Sequence, residues 1–214
     1  MSGDSLLMEI YERLLSFFGP RHWWPAKTPF EMIAGAVLTQ NTAWGNVERA
    51  INNLKREKSL RVRTIYEMDL ERLANLVLPA GYYNVKARRL KNFVNLLVRD
   101  YRGSLKRFLR LPLEELRAKL LAINGIGQET ADCILLYAAG YPVFVVDSYT
   151  RRVLERHHLI LRNADYPQVQ TYMEARLPKE TKLFNEYHAL LVEVGKRFCR
   201  RVPHCRGCPL EYLL

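Results

Sequence analysis

The sequence predicts an all-α fold, and three observations carry that prediction. Apolar residues recur at three- and four-residue spacings along most of the chain, the period of a helix with one buried face. The single stretch that reads as strand, Val143 to Val146, is too short and isolated to build a sheet. A glycine-paired turn, Asn124-Gly125-Ile126-Gly127, joins two apolar helical segments.

The elements follow in chain order. Leu6, Leu7, Ile10, Leu14 and Phe18 define a first helix, which Gly19-Pro20 terminates. The segment from Phe30 to Thr39 is apolar on nearly every side, so it is expected at the centre of a helical bundle. Val47, Ile51 and Leu54 mark the next helix. The pattern then predicts helices over 64–78, 84–101, 104–109, 113–121 and 128–139. Beyond Pro142 it predicts helices over 147–158, 166–177 and 179–199. The chain must turn at Gly140-Tyr141-Pro142, which sets the predicted domains at 28–141 and at 1–27 plus 142–214. Asp147, delivered by the apolar run Pro142-Val143-Phe144-Val145-Val146, is then expected at or beside an interdomain cleft.

Composition narrows the partners. Of the 214 residues, 49% are hydrophobic, enough for a full core in one large or two small domains. Lys and Arg outnumber Asp and Glu by 33 to 22, and the resulting charge of +11 favours a polyanion. No apolar run approaches the roughly 20 residues that span a bilayer. The first ten residues lack the basic-then-apolar pattern of a signal peptide. A cytoplasmic protein with no membrane partner is expected. Four cysteines, three of them near the C-terminus, do not suggest a disulfide framework; they suggest metal or a relic of metal binding.

The glycine turn has a specific chemical use. Gly125 and Gly127 are expected to adopt positive φ and to let an anion approach the backbone. Gln128, Glu129 and Thr130 open the following helix and add its dipole. A tight helix-turn-helix corner with no ligand is the competing reading. The basic stretch from Asn84 to Lys91 and the pair Arg151 and Arg152 are candidate phosphate contacts on an otherwise solvated surface.

The hairpin block 121–132, the Gly140-Tyr141-Pro142 turn and the segment from Val145 to Val153 together resemble the helix-hairpin-helix DNA glycosylases of the endonuclease III superfamily. Gly81-Tyr82-Tyr83-Asn84 and Thr28-Pro29-Phe30 with Gln40 extend the resemblance over nearly the whole chain. It implies two helical domains, the first a six-helix barrel ending in the hairpin, with double-stranded DNA in the cleft between them. The hairpin residues Gly125, Ile126, Gly127, Gln128 and Thr130 would grip a backbone phosphate, and the damaged nucleotide would be flipped from the stack. Asp147 matches the family's catalytic carboxylate, and Gln40 the residue that fills the hole the nucleotide leaves. The carbonyls of Leu121, Ile123 and Ile126 would coordinate a monovalent cation. A monomer is implied.

Glu129 departs from the pattern of members that also cut the backbone, which carry lysine there. A carboxylate cannot form the Schiff base that such cleavage needs. The resemblance therefore implies a monofunctional enzyme, with Glu129 grouped beside Asp147 as a candidate catalytic residue. Trp23-Trp24-Pro25, with the sequence around Gly127, is similar to the 3-methyladenine branch. Trp23, Trp24, Pro25 and Trp44 are the candidate walls of a base pocket, since flat electron-rich rings attract a cationic alkylated purine.

Cys199, Cys205 and Cys208 resemble the family's iron–sulfur loop, but the first gap is five residues rather than six, and Leu214 stands at the fourth ligand position. A degenerate iron–sulfur cluster, a zinc site recruiting His204, and a metal-free relic all remain open. So do two other functions: a glycosylase for oxidised pyrimidines or mismatched bases, and a non-catalytic DNA-binding module.

Overall fold

The computed structural model describes residues 3–21 and 26–213, with the side chains of Gly3, Asp4 and Ser5 left aside. Among these residues there are twelve α-helices and no strand. The chain divides into two compact units, Trp24–Gly140 and Met1–Trp23 with Tyr141–Leu214.

The Trp24–Gly140 unit is built on α2 (Pro29–Thr39), whose residues from Phe30 to Leu38 are all buried. Thr28 starts this helix by accepting the Glu31 amide on its hydroxyl, with Pro29 at the first helical position. Around it lie α3 (Trp44–Arg56), α4 (Val62–Glu67), α5 (Leu70–Val77), α6 (Tyr83–Tyr101), α7 (Leu105–Phe108), α8 (Leu113–Leu121) and α9 (Gln128–Cys133). Two helices replace the single one expected over 64–78. Asp69 caps the second by accepting the Arg72 amide at 2.7 Å, so the chain breaks at Met68. Helix α9 runs on as a π-helical stretch, Ile134–Ala139, and stops at Gly140 with φ +77°.

Lys86 locks α6 to the end of α2. It is 1% exposed, and its ammonium donates to the carbonyls of Leu38 at 2.9 Å and Ala80 at 2.7 Å. Burial, and then the neighbouring Arg89, hold its pKa below the ordinary lysine value.

The other unit centres on α12 (Thr181–Arg197), buried from Tyr187 through Gly195. It packs against α1 (Gly3–Phe18) and α10 (Ser148–Arg156), and α11 (Tyr166–Glu174) completes the unit. The strand-like run is extended and buried but pairs with no strand. Side chains of α11 satisfy its backbone instead. The Phe144 amide donates to Glu174 at 2.7 Å, and the Phe144 carbonyl accepts from Gln170 at 2.8 Å. The Phe144 ring packs on Phe184 and Tyr187.

Candidate functional site

The hairpin is α8, a turn through Gly127, and α9. Its two helices are clasped by Asp132, which is fully buried and accepts two bonds from the Arg117 guanidinium at 2.8 and 3.2 Å. Ile123 and Ile126 are buried and pin the turn, and the Ile126 amide donates to the Ile123 carbonyl at 3.0 Å. Gly125 alone of the two glycines takes positive φ, at +96°. Gly127, expected to do the same, is extended at φ −91° and ψ −179°, a region open to any residue. Gly125 is also where Arg89 lies closest: an added Cβ there would stand 2.2 Å from the arginine Cγ. Gly127 has nothing within 4 Å of that position.

Gln40 belongs to the hairpin's support. Its amide nitrogen donates to the Gly125 carbonyl at 3.1 Å and to the Thr130 hydroxyl at 2.9 Å, while its carbonyl accepts from Arg89. Asn92 takes the Asn124 carbonyl at 3.0 Å. Thr130 is consequently buried, whereas Gly127 and Glu129 are exposed and Gln128 is half-buried.

Asp147 is the N-cap of α10. One carboxylate oxygen accepts the Thr150 amide at 2.7 Å, and the other lies 3.6 Å from Nε2 of the buried His188. Burial by itself pushes this carboxyl up. His188 and Thr150 outweigh that push and hold it below the ordinary aspartate value. The site therefore presents an ionised carboxylate at a helix start. His188 escaped the sequence reading because a lone histidine in an apolar helix carries no motif.

Arg151 and Arg152 are engaged within their own unit. Both terminal nitrogens of Arg151 donate to the Ala164 carbonyl. Arg152 donates to the carbonyls of Cys199 at 2.6 Å and Gly195 at 3.2 Å.

Trp44 is half-buried and lines a cavity of about 130 Å³ with Glu31, Gly35, Glu48, Ile51 and Lys55. Glu31 is buried and paired with Lys55 at 2.5 Å. Trp23, Trp24 and Pro25 lie outside the described residues.

The three C-terminal cysteines share a cavity of about 240 Å³ with His157, His204 and Glu211. Burial raises the Cys208 thiol above its ordinary value. Among the described residues, however, no three Cys, His, Asp or Glu side chains stand as a set that could hold a metal. Arg156 occupies part of the loop instead, donating to Cys199 Sγ at 3.2 Å and to the carbonyls of Arg200 and Arg201.

Comparison with known proteins adds a second line. The profile of the HhH-GPD superfamily of base excision DNA repair proteins matches residues 34–179. A protein of Methanocaldococcus jannaschii, provisionally named a DNA repair glycosylase, is 46% identical over 208 residues, spanning 96% of this chain and 94% of its own. Among solved structures, the Helicobacter pylori 3-methyladenine DNA glycosylase bound to 1,N6-ethenoadenine superposes with a TM-score of 0.78 at 29% identity, over 89% of this chain and 97% of that one. A non-covalent endonuclease III–DNA complex gives 0.85 at 23% identity, over 100% and 95%, a likeness of fold.

Proposed function

We propose, for a chain that belongs to the HhH-GPD superfamily of base excision DNA repair proteins, a monofunctional glycosylase acting on alkylated purines. It is a base excision DNA glycosylase by family. The catalytic reading rests on one observation above the others: Asp147 is a half-buried carboxylate, held ionised, at a helix N-terminus. Such a group stabilises the sugar cation that develops as the glycosidic bond breaks, and it orients or deprotonates the attacking water. Asp147 also caps α10, but asparagine caps about as well without setting a negative charge against a polyanionic ligand, so a module that only binds gains nothing from the charge.

The hairpin supplies the grip. The Gly127 and Gln128 amides stand at the start of α9, where a phosphate gains both hydrogen bonds and the helix dipole. Gln40 can enter the DNA only by giving up Gly125 and Thr130, so its insertion and the shape of the hairpin are coupled.

Three observations support the substrate and the reaction type. Trp44, Glu48 and the Glu31–Lys55 ion pair line one cavity, of which the indole and the Glu48 carboxylate are the features suited to a cationic methylated purine. The Helicobacter neighbour, a 3-methyladenine glycosylase, is consistent with that class. Such bases have a weakened glycosidic bond, so stacking and one carboxylate suffice. Glu129 stands where a lyase would need an amine.

The test is chromatography of bases released from methylated duplex DNA. Release of a methylated purine by the wild type, lost in Asp147→Asn, is the expected result. Asparagine caps a helix about as well as aspartate, so this variant removes the charge and keeps the fold. Release of only oxidised pyrimidines or mismatched bases would assign the substrate to the endonuclease III-like class instead. Efficient borohydride trapping on abasic DNA would overturn the monofunctional reading.

A further inference from the structure

Helix α12 meets α10 along one face. His188 and Gly195 are seven residues apart, two helical turns, and so lie one above the other on α12. Gly195 faces Tyr149: an added Cβ would stand 2.6 Å from Tyr149 Cδ1 and 2.9 Å from its Cβ. The absence of a side chain at Gly195 thus sets how closely the start of α10 approaches α12. Arg152 fixes the same approach from the other side, through the carbonyls of Gly195 and Cys199. The result is that His188 Nε2 stands 3.6 Å from Asp147, beyond a hydrogen bond and within the range of an ion pair. Catalytic contacts of this kind are commonly long in the free enzyme and shorten when substrate binds.

We infer that His188, seated by Gly195, is a positioning residue for Asp147: it fixes the second carboxylate oxygen while Thr150 fixes the first. The inference rests on Asp147 being the carboxylate of the reaction. Among the described residues, the groups that act on this carboxylate are the imidazole of His188 from α12 and the amide and hydroxyl of Thr150 on α10 itself. Bonded at one oxygen by Thr150 and faced at the other by the imidazole, the carboxylate is restrained in its orientation and stays ionised.

The experiment compares single-turnover base release on methylated duplex with affinity for a duplex carrying an abasic-site analogue. His188→Leu removes the imidazole, and His188→Gln restores an N–H donor. The leucine variant is expected to slow the chemical step by about tenfold or more, the loss of one charge-assisted contact, with affinity unchanged. Its acid limb should move to higher pH, because Asp147 loses a group that favours its charged form. The glutamine variant should recover much of the rate. In the Asp147→Asn background, His188→Leu should cost nothing further.

A leucine variant with the wild-type rate and acid limb, beside an inactive Asp147→Asn, overturns the role of His188 alone. A fully active Asp147→Asn overturns the reading of Asp147 beneath it. If His188→Leu does not fold, the glutamine variant and the double variant carry the test. An equal further loss in the asparagine background would assign His188 a structural role.

Discussion

Replacing Gly127 by alanine separates what the fold needs from what a ligand needs. The Gly127 backbone, at φ −91° and ψ −179°, is open to alanine, and a Cβ there meets nothing within 4 Å. The substitution restricts the unfolded chain without straining the folded one, a gain of about 0.4–1 kcal/mol. For a chain of this size that raises Tm by about 1–4 °C. Gly125→Ala behaves oppositely. Its φ of +96° and the 2.2 Å approach of Arg89 Cγ make it destabilising by at least about 1 kcal/mol. If a DNA phosphate approaches the Gly127 amide, the new methyl fills the open space the phosphate needs. Loss of one charged hydrogen bond then weakens binding about ten- to hundredfold. Thermal melts, together with titration of labelled duplex across a salt series, read both effects. The expected Gly127→Ala protein is slightly more stable, binds more weakly and shows a shallower salt slope. A protein that is more stable yet binds as tightly, with the wild-type slope, would refute phosphate contact at Gly127.

Other expectations follow from the same geometry. Asp132→Asn breaks the fully buried clasp with Arg117 and should cost about 3 kcal/mol, a fall of about 6–12 °C in Tm by calorimetry. Lys86→Met leaves the buried carbonyls of Leu38 and Ala80 without their donor and should cost about 2–4 kcal/mol in urea unfolding. Because the Asp147 pKa is lowered in the folded state, its contribution is present above the ordinary carboxylate value near about 3.9 and is lost as pH falls through the folded value. Stability measured from pH 5 downward should therefore fall less steeply in Asp147→Asn than in wild type.

The parts of this molecule that the sequence announces are those whose signal is local. Phe30 to Leu38, apolar on nearly every side, is the buried centre of its unit. Asp69, three residues before the Arg72 amide it caps, was a readable helix start hidden inside a longer apolar period. The π-helical register at 134–139 was not readable, because Ile134-Leu135-Leu136 is apolar at every position and fits any helical period. The run from Val143 to Val146 has strand composition, yet its backbone is satisfied by Glu174 and Gln170, far along the chain. The glycine pair showed where the turn is but not which glycine is bent. That depends on Gln40 and Arg89 bracing Gly125. At the candidate site, the sequence singles out Asp147 by its place after an apolar run, and the structure puts it at the start of α10. Its partner was not, since nothing near His188 in sequence identifies the residue it meets. The only trace of that contact is the spacing from His188 to Gly195, which puts a small residue on the histidine's own face.

Helix α10 connects two features that the sequence presented as separate. Its first residue follows the Asp147 cap, and its last, Arg156, holds the C-terminal loop through Cys199 Sγ and the carbonyls of Arg200 and Arg201. Arg152, between them, holds Cys199 and Gly195. The loop is thus organised by guanidinium groups at the place where the three cysteines gather. Arginine donors need no particular oxidation state and no fourth ligand, which suits a loop with leucine at position 214, where the resemblance calls for cysteine. If this organisation is sufficient, Arg156→Met should loosen the loop, lower Tm by about 2–8 °C for the loss of about 1–2 kcal/mol of hydrogen bonding, and leave the stability insensitive to chelators. Purified protein with stoichiometric iron or zinc, destabilised more by chelation than by Arg156→Met, would show that the cysteines and not the arginines hold the loop.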